Sequence, residues 1–405
     1  MKALFWLVAL FGLSVGLALF AHYQNGYALL FMPPWRIELS LNAFILVFAL
    51  LVLGGYTILR VIDWLWEMPR NARRYMSDRR KRLAYQFRRD ALAAFFEGRY
   101  QRAERAVRGA LEQEDDQTLG LVDLLIGARA AHNCRDFEQR DQFLEEARAL
   151  RPGQTLAVDM LEAELLYEQF RNREALASLQ RVYSQSPKLT AALKLELKIR
   201  QQENHAARII ELADQLERSE AIEPAHATRV RTQAYLSQIR MEPMDFAALS
   251  RWWNNVGAAE KASQRLAAAA AREFARAGAV DRAEAILVDT LEREWGVAPI
   301  EVYGELGRLA PGGDAVRRLA RAEDWLRHHP SDHQLLLALG RLCHDCELWG
   351  KARTYLEASI AVAATPVAHV ELAQLLERLE EPEAAQMHMR ASLGLALDLL
   401  ERRGT

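Results

Sequence analysis

Three short stretches of this 405-residue chain hold residue types that could do chemistry. "CHDC" sets Cys343 and Cys346 at the C-x-x-C spacing of zinc ligation or thiol–disulfide exchange. No second pair completes a four-cysteine site, and Glu347 follows where c-type haem attachment needs histidine. Cys343 falls at a core interval of a helix with Cys346 one turn on, so packing is the expected role. "HHPSDH" supplies His328, His329 and His333, but Pro330 breaks any helix that would align an i, i+4 metal pair. A loop is expected there rather than metal or haem ligation. "PGGDAV", residues 311–316, has no lysine at phosphate-loop spacing; a glycine turn with Asp314 as helix N-cap is expected.

Nucleotide-loop, dinucleotide and zinc-protease motifs do not occur in the sequence. No catalytic residue and no metal ligand is therefore expected. Trp252 and Trp253, the only adjacent tryptophan pair, are the leading guess for a protein-binding hot spot, against packing of one ring between helices. His22, Tyr23 and Tyr27 could in principle face a bound ligand, but interfacial anchoring beside an apolar stretch is the expected role.

The elements around these residues divide sharply. Residues 3–21 and 39–59 contain no side chain that is charged at neutral pH, and each as a helix would cross about 30 Å of hydrocarbon. The second holds 13 Leu, Ile, Val or Phe, a transfer gain of about −4 to −8 kcal/mol. The first exceeds a usual signal-peptide core and lacks a good cleavage site before His22. A two-span hairpin over 1–60 is expected. Between residues 60 and 90 stand 10 Lys or Arg against 4 acids, whereas the connector 22–38 has Arg36 balanced by Glu38. The positive-inside bias then puts both ends and the remaining chain in the cytoplasm. Arg70, Arg73, Arg74, Arg79, Arg80, Lys81 and Arg82, on a basic amphipathic stem over 61–90, are expected to meet anionic headgroups.

Residues 1–90 hold 12 Lys and Arg against 5 Asp and Glu; the remainder holds 40 against 49. An acidic body on a basic stem is a poor partner for nucleic acid. The three cysteines form no disulfide framework and suit a reducing compartment.

From residue 83 on, apolar residues recur three or four apart and strand-like alternation is not sustained. Gly340, Ala352 and Ser359 return as Ala373, Ala385 and Ser392, each 33 residues later. That period marks stacked helical hairpins, each burying one face against its neighbour. Ala103, Val107 and Ala110, then Ala175, Leu179 and Val182, then Ala283, Leu287 and Thr290 repeat the second half of a unit. These residues resemble the tetratricopeptide repeat, which implies an all-α right-handed solenoid over 91–405 in seven to nine helical pairs, irregular at 121–150 and 206–260.

The order of motifs is more specific: "NGYALLFMPPWRIELSLNAF", an arginine-rich helix, "ALAAFFEGRYQRAERAV", "ENHAAR" and "LSRWWNNV". Together they resemble the HemY family of proteobacterial inner-membrane proteins. The resemblance implies an inner-membrane link to late haem synthesis, by holding or regulating its enzymes as protein partners. No catalytic residue comes with it, and no cofactor. Haem or porphyrin carriage is the alternative role. The unrelated flavin-dependent oxidase of the same name is excluded by the missing dinucleotide fingerprint.

Overall fold

The computed structural model describes residues 27–32, 35–113, 117–310 and 314–404. The expected first span, His22, Tyr23 and residues 311–313 lie outside them.

One feature departs from an all-α chain. Strands β1 (Tyr27–Met32) and β2 (Trp35–Ser40) form an antiparallel hairpin. Its register sets Ala28 opposite Leu39, Leu30 opposite Ile37 and Met32 opposite Trp35, so every second pair is wholly apolar. Period-two alternation in "WRIELS" carries this signal, and the expected second span gives up its first two residues to β2.

The first compact unit, Met1–Thr155, continues with α1 (Leu41–Phe96), α2 (Tyr100–Gln113), α3 (Gln117–Asn133) and α4 (Phe137–Leu150). Ser40 caps α1 by accepting from Ala43 N at 3.3 Å. Its 56 residues run about 84 Å at 1.5 Å each. The helix changes character along its length. Leu46, Val47, Phe48, Leu50 and Leu51 are exposed, whereas Ala84, Ala91 and Ala94 are buried against α2 and α3.

Among the described residues no helix is long and apolar enough to cross a membrane. Described side chains of the apolar run are continuous only over 46–62. The side chains of Arg70, Arg73 and Arg74 lie outside those described. Arg79, Arg80, Lys81 and Arg82 are exposed, and four consecutive positions at about 100° per residue encircle the helix. Cations on every side differ from the one-faced stripe of a helix lying on a surface.

The second unit, Leu156–Thr405, is a succession of antiparallel helices. It begins with α5 (Leu156–Glu168), α6 (Asn172–Gln185), α7 (Thr190–Gln202), α8 (Ala206–Arg218) and α9 (Pro224–Met241). Two short helices, α10 (Phe246–Asn255) and α11 (Ala258–Lys261), stand where one would be regular. Then come α12 (Gln264–Arg276), α13 (Val280–Arg293), α14 (Val297–Leu309), α15 (Ala315–His328), α16 (His333–Asp345), α17 (Trp349–Val362), α18 (Pro366–Arg378) and α19 (Pro382–Gly404). Asp314 caps α15, accepting from Arg317 N at 2.9 Å, as expected. Irregularity therefore sits at 242–263; α3 and α4 form an ordinary hairpin.

The 33-residue period extends to single hydrogen bonds. Ser359 Oγ donates to His333 O at 2.7 Å, and Ser392 Oγ to Pro366 O at 2.9 Å. Each ties a second helix to the start of the first in its hairpin. Ala103, Ala175, Ala283, Ala352 and Ala373 are wholly buried, where short side chains let backbones approach.

The turns repeat as well. Gly98, Arg135, Phe170, Asn204, Gly278, Glu347 and Glu380 each have positive φ between the two helices of a hairpin. The next residue's N–H donates five residues back, as in Arg171 N to Leu166 O at 3.0 Å and Leu348 N to Cys343 O at 2.8 Å. This is the Schellman closure, which favours glycine. Phe170 is 79 % exposed at φ 59°, so its ring contributes little to offset the left-handed backbone. Phe170→Gly is expected to raise unfolding stability by about 0.5–1 kcal/mol, read as a higher urea midpoint at unchanged m-value.

Candidate partner-binding cleft

The first helices of successive hairpins stand side by side in the second unit: α9 contacts α12, α12 contacts α14, and α14 contacts α16. A half-open cleft of about 500 Å³ lies across α9, α12 and α14. Helix α12, "QRLAAAAAREFAR", builds it. Arg265, Ala268, Ala269, Arg272 and Arg276 line the cleft and recur at three-to-four-residue steps on one helix face, with Glu273 beside them in the lining. The opposite face of α12 buries Leu266, Ala270 and Phe274. Helix α9 contributes Gln233, Leu236, Ile239 and Arg240, and α14 contributes Ala298, Glu301 and Val302. The floor is apolar and shallow; the rim is charged.

The four arginines differ in their partners. Arg272 donates to Glu305 at 2.9 Å and Arg276 to Glu273 at 2.6 Å. Arg240 and Arg265 are exposed and have no ion-pair partner among the described residues. From Arg272 a charge ladder runs on through the first helices. Glu305 lies 3.5 Å from Arg341, Arg341 donates to Glu371 at 2.8 Å, and Arg308 donates to the same carboxylate at 2.6 Å. Burial alone raises the Glu371 carboxyl. Hydrogen bonds from Arg308 and the charge of Arg341 outweigh it and hold it below the ordinary glutamate value. Along this ladder the charges pair with one another.

The residues singled out in the sequence do not converge. Trp252 and Trp253 are 9 % and 7 % exposed and pack in the core with Tyr235 and Phe274. Trp252 Nε1 donates to Gln238 Oε1 at 3.0 Å, and Lys261 lies over the Trp253 ring at 5.6 Å. Cys343 is fully buried, and burial pushes its thiol up to about 12; burial also raises Cys346. Neither is poised as a thiolate near neutral pH. His328 caps the end of α15 through Asp324 O, His329 stacks on Trp295 at 3.8 Å, and His333 meets Gln334. The sequence reading missed His369 and His388, whose Nδ1 atoms meet at 2.9 Å between α18 and α19. Among the described residues no group of three His, Cys, Asp or Glu is placed to hold a metal.

Antiparallel hairpins with small residues at a 33-residue period define a tetratricopeptide-like helical-repeat protein. The profile described as HemY protein N-terminus matches residues 26–135. Protein HemY of Escherichia coli strain K12 is 23 % identical over 403 residues, covering 97 % of each chain, and Protein HemY of Shigella flexneri aligns with the same figures. Together these findings support the HemY family. Among solved structures, a tetratricopeptide repeat protein from Parabacteroides merdae ATCC 43184 is 12 % identical over 77 % of this chain and 99 % of its own, with a TM-score of 0.32. A thermophilic TPR protein of Thermus thermophilus is 16 % identical over 61 % and 96 %, with a TM-score of 0.20. At such scores the repeat assignment rests on this chain's own packing.

Proposed function

We propose that this chain is a membrane-tethered scaffold, without catalysis of its own, that holds enzymes of late haem biosynthesis at the bacterial inner membrane. The observation that carries the reading is the cleft across α9, α12 and α14, where Arg240 and Arg265 stand without ion-pair partners among the described residues beside an apolar floor. Such a surface suits the binding of a partner.

Tethering follows from α1. Its exposed apolar side chains within 44–62 suit hydrocarbon, Trp64 suits the interface, and the cations at 79–82 would stand among anionic headgroups together with Arg70, Arg73 and Arg74. The same unbroken helix ends packed on α2 and α3 as the first helix of the repeats. With residues 3–21 as a second span, both termini and the repeats lie in the cytoplasm. Holding two partners on one frame raises their effective concentration towards about 1 mM and shortens the path of a poorly soluble porphyrin. Trp252 and Trp253 then act by supporting the wall beside α9, and a partner touches them only at their exposed edges.

Purification of the tagged full-length chain from native membranes is expected to bring down enzymes of late haem synthesis, absent with an unrelated tagged membrane protein. Equal recovery from both overturns the reading. No His or Cys lines the cleft, so haem titration is expected to leave the Soret band unshifted; a saturable shift would support the carrier role instead.

A further inference from the structure

Four arginines against Glu273 and Glu301 leave the cleft lining net positive in a body whose overall balance is acidic. Arg272 and Arg276 are already held by Glu305 and Glu273, which fixes their stems as walls. Arg240 and Arg265 face the same space with nothing to neutralise them among the described residues. Other arginines of the second unit, Arg173 and Arg229 among them, are also unpaired, but they do not line a concavity. Below the guanidinium groups, Ala268, Ala269 and Ala298 carry no side chain beyond Cβ, so an extended main chain can approach closely over Leu236, Ile239 and Val302. Glu301, exposed on the opposite wall, accepts hydrogen bonds and so suits peptide N–H groups.

We infer that this cleft takes an extended, acidic protein segment, with Arg240 and Arg265 as the open anchors for its carboxylates and the alanine floor receiving its apolar side chains. The inference rests on the scaffold reading and names the partner chemistry within it. Guanidinium groups pair carboxylates in forked geometry, and pairs shielded by cleft walls are less screened than those on a flat surface. Intervening apolar residues supply the buried area that charge alone does not.

The test uses the detergent-solubilised full-length chain and a fluorescein-labelled peptide of alternating glutamate and leucine, read by anisotropy. Saturable binding is expected, at least tenfold weaker for the glutamine-for-glutamate peptide. The double variant Arg240→Glu/Arg265→Glu is expected to lose tenfold or more. Arg229→Glu, on the same α9 but outside the lining, is expected to stay within twofold. All substituted side chains are exposed, and unchanged urea midpoints confirm folding. No binding of the acidic peptide, equal binding of the glutamine peptide, or an equal loss in Arg229→Glu would overturn the inference. Haem-pathway enzymes that still copurify with the double variant, alongside any of these results, would leave the scaffold reading standing without it.

Discussion

Glu371→Gln is expected to destabilise the α14–α19 region by about 3 kcal/mol, the lower end for breaking a buried ion pair. Glu371 serves two arginines at once; its side chain is 7 % exposed and that of Arg341 is 6 %. A neutral amide cannot balance both guanidinium charges, and Arg341 retains only Glu305 at 3.5 Å. Arg308, at 39 % exposure, is the better hydrated and loses less. Replacing the whole group by apolar residues is a different experiment: Arg308→Leu/Arg341→Met/Glu371→Leu is expected to recover much of the loss, because no charge is then stranded. Because repeat stability is largely nearest-neighbour, amide exchange should quicken first in α16–α19.

The same group gives a pH dependence of definite sign. Glu371 is held below its ordinary value in the folded state. Its contribution is therefore present above the unfolded glutamate value of about 4.3 and is lost as pH falls through the lower folded value. Glu196, lowered by Arg208 and Tyr183 against the opposing effect of burial, adds in the same direction. Urea midpoints should fall below about pH 4.3, and the fall should be shallower in Glu371→Gln.

Gly304→Leu is expected to cost about 3 kcal/mol or more. A Cβ added at Gly304 would lie 2.7 Å from the Ala338 Cα and 2.8 Å from its Cβ. Backbone of α14 meets backbone of α16 there, and no rotamer relieves the overlap, so the helices must part. Helix α14 also supplies Ala298, Glu301 and Val302 to the cleft, so acidic-peptide binding should weaken with stability. Gly304→Ala already introduces the clashing atom and is expected to cost about 1–2 kcal/mol. Gly340→Ala is the internal comparison: its added carbon would meet the Leu356 side chain, Cδ2 and Cγ both at 2.6 Å, but no backbone atom closer than Ala352 O at 3.6 Å, so side-chain repacking rather than helix separation can absorb it. A smaller urea-midpoint shift at Gly340 than at Gly304 is expected.

The hairpin architecture was legible because small residues recur at helical spacing and at 33 residues. Ala103, Ala175, Ala283 and Ala352 each occupy the predicted contact, and Ser359 and Ser392 even share a hydrogen-bond partner position. Turns were half legible. Gly98 and Gly278 announce the left-handed residue, whereas Arg135, Phe170, Glu347 and Glu380 adopt it without the residue type that signals it. Hairpin closure overrides local preference at those positions. The β1–β2 hairpin was missed because its apolar residues merge with the long apolar run that follows, although Trp35, Ile37 and Leu39 alternate with Arg36, Glu38 and Ser40.

The cleft was not legible for a different reason. Arg265, Arg272 and Arg276 repeat at i, i+7 and i+11 on α12, a spacing that equally describes any solvated helix face. Only the placement of α9 and α14 beside it turns the stripe into a wall. Trp252 and Trp253 misdirected attention for the converse reason: large aromatics mark a binding surface or a core with the same residue type, and here Tyr235 meets the Trp252 ring edge-on and Phe274 belongs to the same core.

Site-specific photocrosslinking in intact cells tests the scaffold claim most directly. With a photoreactive amino acid at Gln233, which is exposed and lines the cleft, and separately at Arg229 on the same helix outside it, adducts from the membrane fraction are identified by mass spectrometry. The account predicts protein adducts containing haem-biosynthesis enzymes from position 233 and none of these from 229. The same adducts from both positions, or no protein adduct at 233, would contradict it.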